Sequence, residues 1–154
     1  MSVVVLDYGL GNLRSLSWAL ERIGCVHSIS SDKELIENSQ KLIIPGVGSF
    51  GEARKNLDSL DLTDFIRFYA KKTRNKIFGI CLGMQLLFEG SEESPEVLGL
   101  SLLKGFYEKL DAKTSHVPHM GWNNLEPLKK GSDFSYLSEI KTDADFNFAH
   151  SYGL

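Results

Sequence analysis

This chain is short of the residues that announce several kinds of chemistry. Only two of its 154 residues are cysteines, Cys25 and Cys81, and only four are histidines. Two thiols cannot build a disulfide framework or a multi-thiolate metal centre, so neither a metal nor another cofactor is expected. Charge of one sign is also lacking. The net charge is -3 and the basic residues are scattered, which leaves no electrostatic footprint for nucleic acid. The densest basic run, Lys71 to Lys76, is short and reads as the solvated end of a helix. Long apolar runs are missing as well. Val3 to Leu6 falls far below the roughly 20 residues of a membrane span, and no basic segment precedes it as in a signal peptide. A cytoplasmic protein is therefore expected. Without repeats, low-complexity tracts or linkers, and with 42% hydrophobic residues, residues 1–154 are expected to form one domain.

What is present alternates. Val3 to Leu6 is an unbroken apolar run of the kind a strand shows when covered on both faces, and Leu13, Leu16, Leu20 and Ile23 follow at helical spacing until Gly24 stops them. A second apolar strand, Leu42 to Ile44, enters Pro45-Gly46-Val47-Gly48, and Leu62, Phe65, Ile66 and Tyr69 then mark one helix face. A third unit runs from Ile77 to Ile80, through Cys81, into a helix carrying Leu82, Gln85, Leu86 and Phe88. Such alternation predicts an α/β fold with an open, doubly wound, mostly parallel sheet whose ligands sit at the carboxyl ends of the strands. Beyond Pro95 the pattern suggests a strand near Leu100 to Tyr107, turn-rich sequence from His116 to Asn124, and alternation at Phe146, Phe148, His150 and Tyr152. These read as further strands, some antiparallel, and Glu89 to Glu96 reads as a surface loop.

The heptapeptide Gly79-Ile80-Cys81-Leu82-Gly83-Met84-Gln85 sets a thiol at a tight turn between a strand and a helix. A nucleophile at such an elbow projects into open space, flanking glycines permit the turn, and the start of the helix favours the thiolate, the reactive species. The N–H of Leu82 and one from the Gly46 to Gly48 turn could form an oxyanion hole. Gly46-Val47-Gly48-Ser49-Phe50-Gly51 formally matches the dinucleotide fingerprint. It follows the second strand rather than the first, however, and no acidic partner for a ribose is evident. Asp7-Tyr8-Gly9-Leu10-Gly11-Asn12 is likewise a weak phosphate signal. His27 reads as a surface residue before a strand, and His116 and His119 bracket Val117-Pro118 in a loop. No Cys-His pair can be assigned from spacing.

Taken together, five motifs resemble the class I glutamine amidotransferases, and within them the glutaminase subunits of imidazole glycerol phosphate synthases. They are Asp7 to Leu13, Pro45 to Gly51, Gly79 to Glu89, Val117 to Asn123, and His150-Ser151-Tyr152, in that family's order from Val3 to Tyr152. The resemblance implies a flavodoxin-like class I glutaminase fold with Cys81 as the nucleophile that attacks the glutamine carboxamide, releasing ammonia and leaving a glutamyl thioester. It further implies Gly48 and Leu82 as the oxyanion hole, and Gln85, Glu93, Ser151 and Tyr152 as holders of the amino-acid part of glutamine. Ammonia would cross to a (βα)8-barrel cyclase subunit of histidine biosynthesis. That barrel would be contacted by a loop of Pro118, His119, Met120, Gly121, Trp122 and Asn123, with Trp122 as anchor.

The family places its catalytic histidine and glutamate in a Phe-His-Pro-Glu segment well after His-Ser-Tyr, whereas this sequence stops two residues after Tyr152. A C-terminally incomplete sheet and triad, with negligible ammonia release by the chain alone, are therefore expected. His150 matches the family's non-catalytic histidine and is not the base. Gly131 to Asn147 matches the family poorly. This leaves room for a paralogue that feeds ammonia to cell-surface sugar amidation, or for a non-catalytic subunit that docks a partner through Pro118 to Trp122.

Overall fold

The computed structural model describes residues 2–72, 75–113, 116–125 and 144–154. They fall into two compact units, one of residues 1–109 with Leu154 and the other of residues 110–153. The first unit begins with β1 (Val3–Leu6), α1 (Leu13–Arg22), β2 (His27–Ser30), α2 (Lys33–Glu37) and β3 (Lys41–Ile44). It continues through α3 (Phe50–Ser59), α4 (Leu62–Ala70), β4 (Lys76–Gly79), α5 (Leu82–Gln85), β5 (Gly90–Ser91) and β6 (Phe106–Lys109).

Strands β2, β1, β3 and β4 lie side by side in that order, all parallel. Every residue of β1 is buried because successive side chains feed opposite faces. Val4 and Leu6 join Phe50, Leu57, Leu62, Ile66 and Leu86 on one side, whereas Val3 and Val5 pack with Leu20, Leu13 and Leu16 on the other. This is the doubly wound α/β sheet the alternation predicts. The strand order reverses direction between β1 and β3, and a crevice opens at such a switch point outside the carboxyl ends.

The helix ends follow local chemistry. Asn12, Asp32 and Ser49 cap α1, α2 and α3 by accepting N–H bonds from Ser15, Leu35 and Glu52. Gly24 follows α1 at φ +69°, a conformation open to glycine.

Two expectations are corrected in this unit. His27 does not precede a strand but opens β2, with its ring nitrogens at 2.8 Å from Ser17 Oγ and 3.0 Å from the Cys25 carbonyl. The strand expected from Leu100 is confined to Phe106–Lys109. The N–H groups of Leu100, Leu102 and Leu103 are taken by the carbonyls of Leu86 and Leu87 beyond α5, and Ser101 and Gly105 have positive φ, so the segment caps a helix end instead of extending.

The second unit holds β7 (His119–Asn124), β8 (Asp145–His150) and β9 (Tyr152–Gly153). β7 and β8 pair antiparallel from His119 with His150 to Asn124 with Asp145. Pro118 to Asn123, expected as a loop, is thus mostly a strand, because its backbone is satisfied by β8. The poorly matching stretch from Gly131 lies outside the described residues as far as residue 143.

Candidate active site

Two glycines bring the ends of β3 and β4 into backbone contact, and a third tightens the turn after β4. A Cβ on Gly83 would strike the Ile44 carbonyl and lie 2.9 Å from that of Pro45. One on Gly46 would stand 2.6 Å from the Gly83 nitrogen, and one on Gly79 would stand 2.6 Å from the Met84 nitrogen. Only hydrogen fits at these points. The Ile80 N–H donates to the Ile44 carbonyl at 2.9 Å, extending the ladder one residue past β4 and fixing the turn after β3 beside the turn after β4.

Cys81 sits in that second turn at φ 53° and ψ -117°, a backbone state L-residues rarely adopt. The strain, of order 1–3 kcal/mol, is what throws the side chain outward, and Cys81 is exposed. The helix that follows is a single turn, Leu82–Gln85, so it contributes little macrodipole. What it offers is local. Among the described residues the Leu82 N–H donates to no other group, and neither does the Gly48 N–H. Gly48 holds φ +107°, and a Cβ there would meet only Glu52 Oε2 at 3.7 Å and Leu10 Cδ2 at 3.9 Å, so the turn faces open space.

The expected glutamine holders in this unit take different places. Gln85 is buried in the turn after Cys81. Glu93 reaches the turn after β3 from a distant loop, its Oε2 accepting the Phe50 N–H at 2.8 Å at the head of α3, while its own N–H donates to Ser91 Oγ. Two buried phenols respond electrostatically to the thiol. Burial, and secondarily negative charge at Cys81, push the hydroxyls of Tyr8 and Tyr107 above the ordinary phenol range.

In the second unit, Ser151 accepts the Leu110 N–H at its carbonyl at 2.9 Å, and Tyr152 lies in β9. A polar chain crosses the β7–β8 pair. Asn123 Nδ2 lies 2.7 Å from His119 Nε2, His119 Nδ1 lies 3.0 Å from His150 Nε2, and His150 Nδ1 lies 2.8 Å from the Tyr152 carbonyl. The neutral tautomers that let every link donate in one direction make Asn123 the first donor and Tyr152 the last acceptor. His119 also stacks on Phe148 at 4.9 Å. On the opposite face Met120 and Trp122 are 71% and 69% exposed, an apolar pair left uncovered by this unit. His27, His119 and His150 each spend their ring bonds as described.

The sequence reading did not single out Tyr8, whose hydroxyl donates to the Pro45 carbonyl at 2.7 Å. In the sequence it is one residue of the Asp7 to Leu13 motif, with nothing to mark its hydroxyl apart from the rest.

The family described as glutamine amidotransferase class-I matches residues 4–153. Imidazole glycerol phosphate synthase subunit HisH of Bacillus cereus (strain AH187) is 41% identical over 150 residues, covering 97% of this chain and 69% of that protein. The same-named subunit of Geobacillus kaustophilus (strain HTA426) is 43% identical over 158 residues, covering 96% of this chain and 70% of its own. A solved structure described as a glutamine amidotransferase superposes with TM-score 0.65 at 23% identity over 79% of this chain, which spans 62% of its length. That likeness is one of fold.

Proposed function

The chain belongs to the class-I glutamine amidotransferase family, and from that premise we propose that it is the glutaminase part of an imidazole glycerol phosphate synthase. The observation that carries the reading is the exposed Cys81 at its strained elbow, with an uncommitted N–H on the adjoining Leu82 and another on Gly48, two residues past the Gly46 that packs on Leu82 and Gly83. The sulfur attacks the glutamine carboxamide carbon. The C=O electron pair moves to oxygen, where the Leu82 and Gly48 N–H groups receive it, the proton given up by the thiol passes to the amide nitrogen, and the pair returns as the C–N bond breaks and ammonia leaves. Water then cleaves the thioester to glutamate and the free thiol. Within the first unit, Gln85 and Glu93 hold the amino-acid end of the substrate.

Ammonia delivered to bulk water would be protonated, so the reading includes a docked cyclase that consumes it during histidine biosynthesis. Support for docking comes from Met120 and Trp122, a large uncovered apolar pair whose flanking polar residues are already bonded to one another. The relatives at 41% and 43% identity carry the histidine-pathway name, which favours this acceptor over a sugar-amidating one.

Exposure to a glutamine-like chloroketone should place one adduct on Cys81, absent in Cys81→Ala, with glutamine protecting and asparagine not. Labelling that glutamine fails to slow would refute the proposal.

A further inference from the structure

We propose that Tyr8 is a positioning residue for the oxyanion-binding turn, its hydroxyl fixing the Pro45–Gly46 peptide so that the N–H groups beyond it face the sulfur of Cys81. The inference rests on the glutaminase reading and names a residue that reading did not contain.

Tyr8 is held from both ends. Its backbone turns out of β1 at Gly9, φ +85°, where the Gly9 N–H bonds Asp7 Oδ1, and its carbonyl accepts Asn56 Nδ2 at 3.1 Å. The ring is 1% exposed and lies in the main core. A phenylalanine would fill that volume equally well, and the hydroxyl adds a buried donor that needs a partner. The partner is the carbonyl that opens the turn after β3, at 2.7 Å.

Three contacts converge on this peptide. A Cβ on Gly11 would stand 3.1 Å from the Pro45 ring, one on Gly83 would stand 2.9 Å from the Pro45 oxygen, and one on Gly46 would stand 3.0 Å from the Tyr8 hydroxyl. Between Gly46 and the Ser49 cap the turn is otherwise unpacked, since Val47 is 54% exposed and a built Cβ on Gly48 meets nothing closer than 3.7 Å. The Gly48 N–H is therefore aimed by two anchors, the α3 cap ahead of it and the Pro45–Gly46 plane behind it, and Tyr8 supplies that plane's only side-chain hydrogen bond among the described residues. Burial and the Cys81 charge both keep the phenol protonated, so the donor persists across working pH.

The test uses the 154-residue chain and its Tyr8→Phe variant with two thiol probes. The first is the γ-aldehyde analogue of glutamine. The sulfur bonds to the aldehyde carbon, the carbonyl oxygen takes the thiol proton, and the resulting hemithioacetal, followed by NMR of the labelled carbon, places its oxygen in the oxyanion hole. The second is iodoacetamide, whose rate reports thiol access without that hole. Aldehyde affinity is expected to fall on the order of tenfold in Tyr8→Phe, with iodoacetamide labelling within about twofold of the parent. Unchanged aldehyde affinity overturns the proposal. So does an equal loss with both probes, or loss of the fold, because the hydroxyl would then serve the core alone. If the parent itself forms no hemithioacetal while iodoacetamide labels Cys81, the glutaminase reading fails and takes this one with it.

Discussion

Replacing Gly46 by alanine probes how closely the turn after β3 must approach the nucleophile elbow. The added methyl would stand 2.6 Å from the Gly83 nitrogen, 2.8 Å from Leu82 Cβ and 3.0 Å from the Tyr8 hydroxyl. Ordinary contact begins at 3.4 Å, so the two backbone segments must part by roughly 0.8 Å. Neither yields freely, because the Ile80 N–H to Ile44 carbonyl bond ties them and Tyr8 holds Pro45. Overpacking of this kind costs about 1–3 kcal/mol, which for a chain of this size lowers the melting temperature by roughly 2–12 °C. The effect on chemistry should be larger, because a shift near 1 Å between nucleophile and oxyanion donors is worth on the order of 100-fold. Thermal unfolding by circular dichroism gives the first quantity, and the ratio of chloroketone to iodoacetamide labelling at Cys81 gives the second. Gly24→Ala is the control, since its Cβ meets nothing within 4 Å while φ stays at +69°. It should lose about 1 kcal/mol and leave the labelling ratio intact. A Gly46→Ala chain matching the parent in both measurements would refute the close backbone packing from which the site is argued.

Glu93→Ala removes the acceptor of the Phe50 N–H and should lower stability by about 0.5–2 kcal/mol, while Glu93→Gln restores most of it. A calorimetric melt on both variants distinguishes the bond from the charge. Trp122→Ala and Met120→Ala, at exposed positions, should stay within about 0.5 kcal/mol of the parent in denaturant titration yet weaken co-purification with a barrel cyclase. Undiminished binding would remove β7 from the interface. Burial raises the phenols of Tyr8, Tyr69 and Tyr107 above their unfolded value of 10.0, so the folded state retains protons that the unfolded state releases. That contribution to stability is fully present below pH 10 and is lost as pH climbs from there through the raised folded values. Phenolate absorbance should therefore rise together with unfolding at alkaline pH, and Tyr8→Phe should flatten the slope.

The parts of the fold that could be read in advance are those whose order is written in side-chain hydropathy. β1 and β3 are short apolar runs because those strands are covered on both sides, β4 is apolar although Phe78 on one of its faces is exposed, and α1 and α4 repeat their apolar residues at helical spacing. β2 is expected only as a strand somewhere after His27, its start misplaced because His-Ser-Ile-Ser, an outer strand of the described sheet with two exposed residues, carries little hydrophobic signal. β7 was hidden by Gly121, Asn123 and Asn124, which read locally as turn formers, and only pairing with β8 makes it extended. At the site, the elbow around Cys81 was visible because its glycines are sequence neighbours. The roles of Tyr8 and Glu93 in shaping the opposite wall were not, since they arise from contacts spanning 37 and 43 residues.

The backbone at Cys81 has a consequence for how this protein can fail. At φ 53° and ψ -117° the residue best suited to the position is glycine, so exchanging the thiol for a hydrogen relieves tension instead of creating it. A Cys81→Gly lesion would thus yield a sturdier chain that slips past the proteases and chaperones that triage unstable proteins. Met120 and Trp122 on β7 would stay as exposed as in the parent, so a cyclase docking there as proposed would be shared between defective and healthy copies.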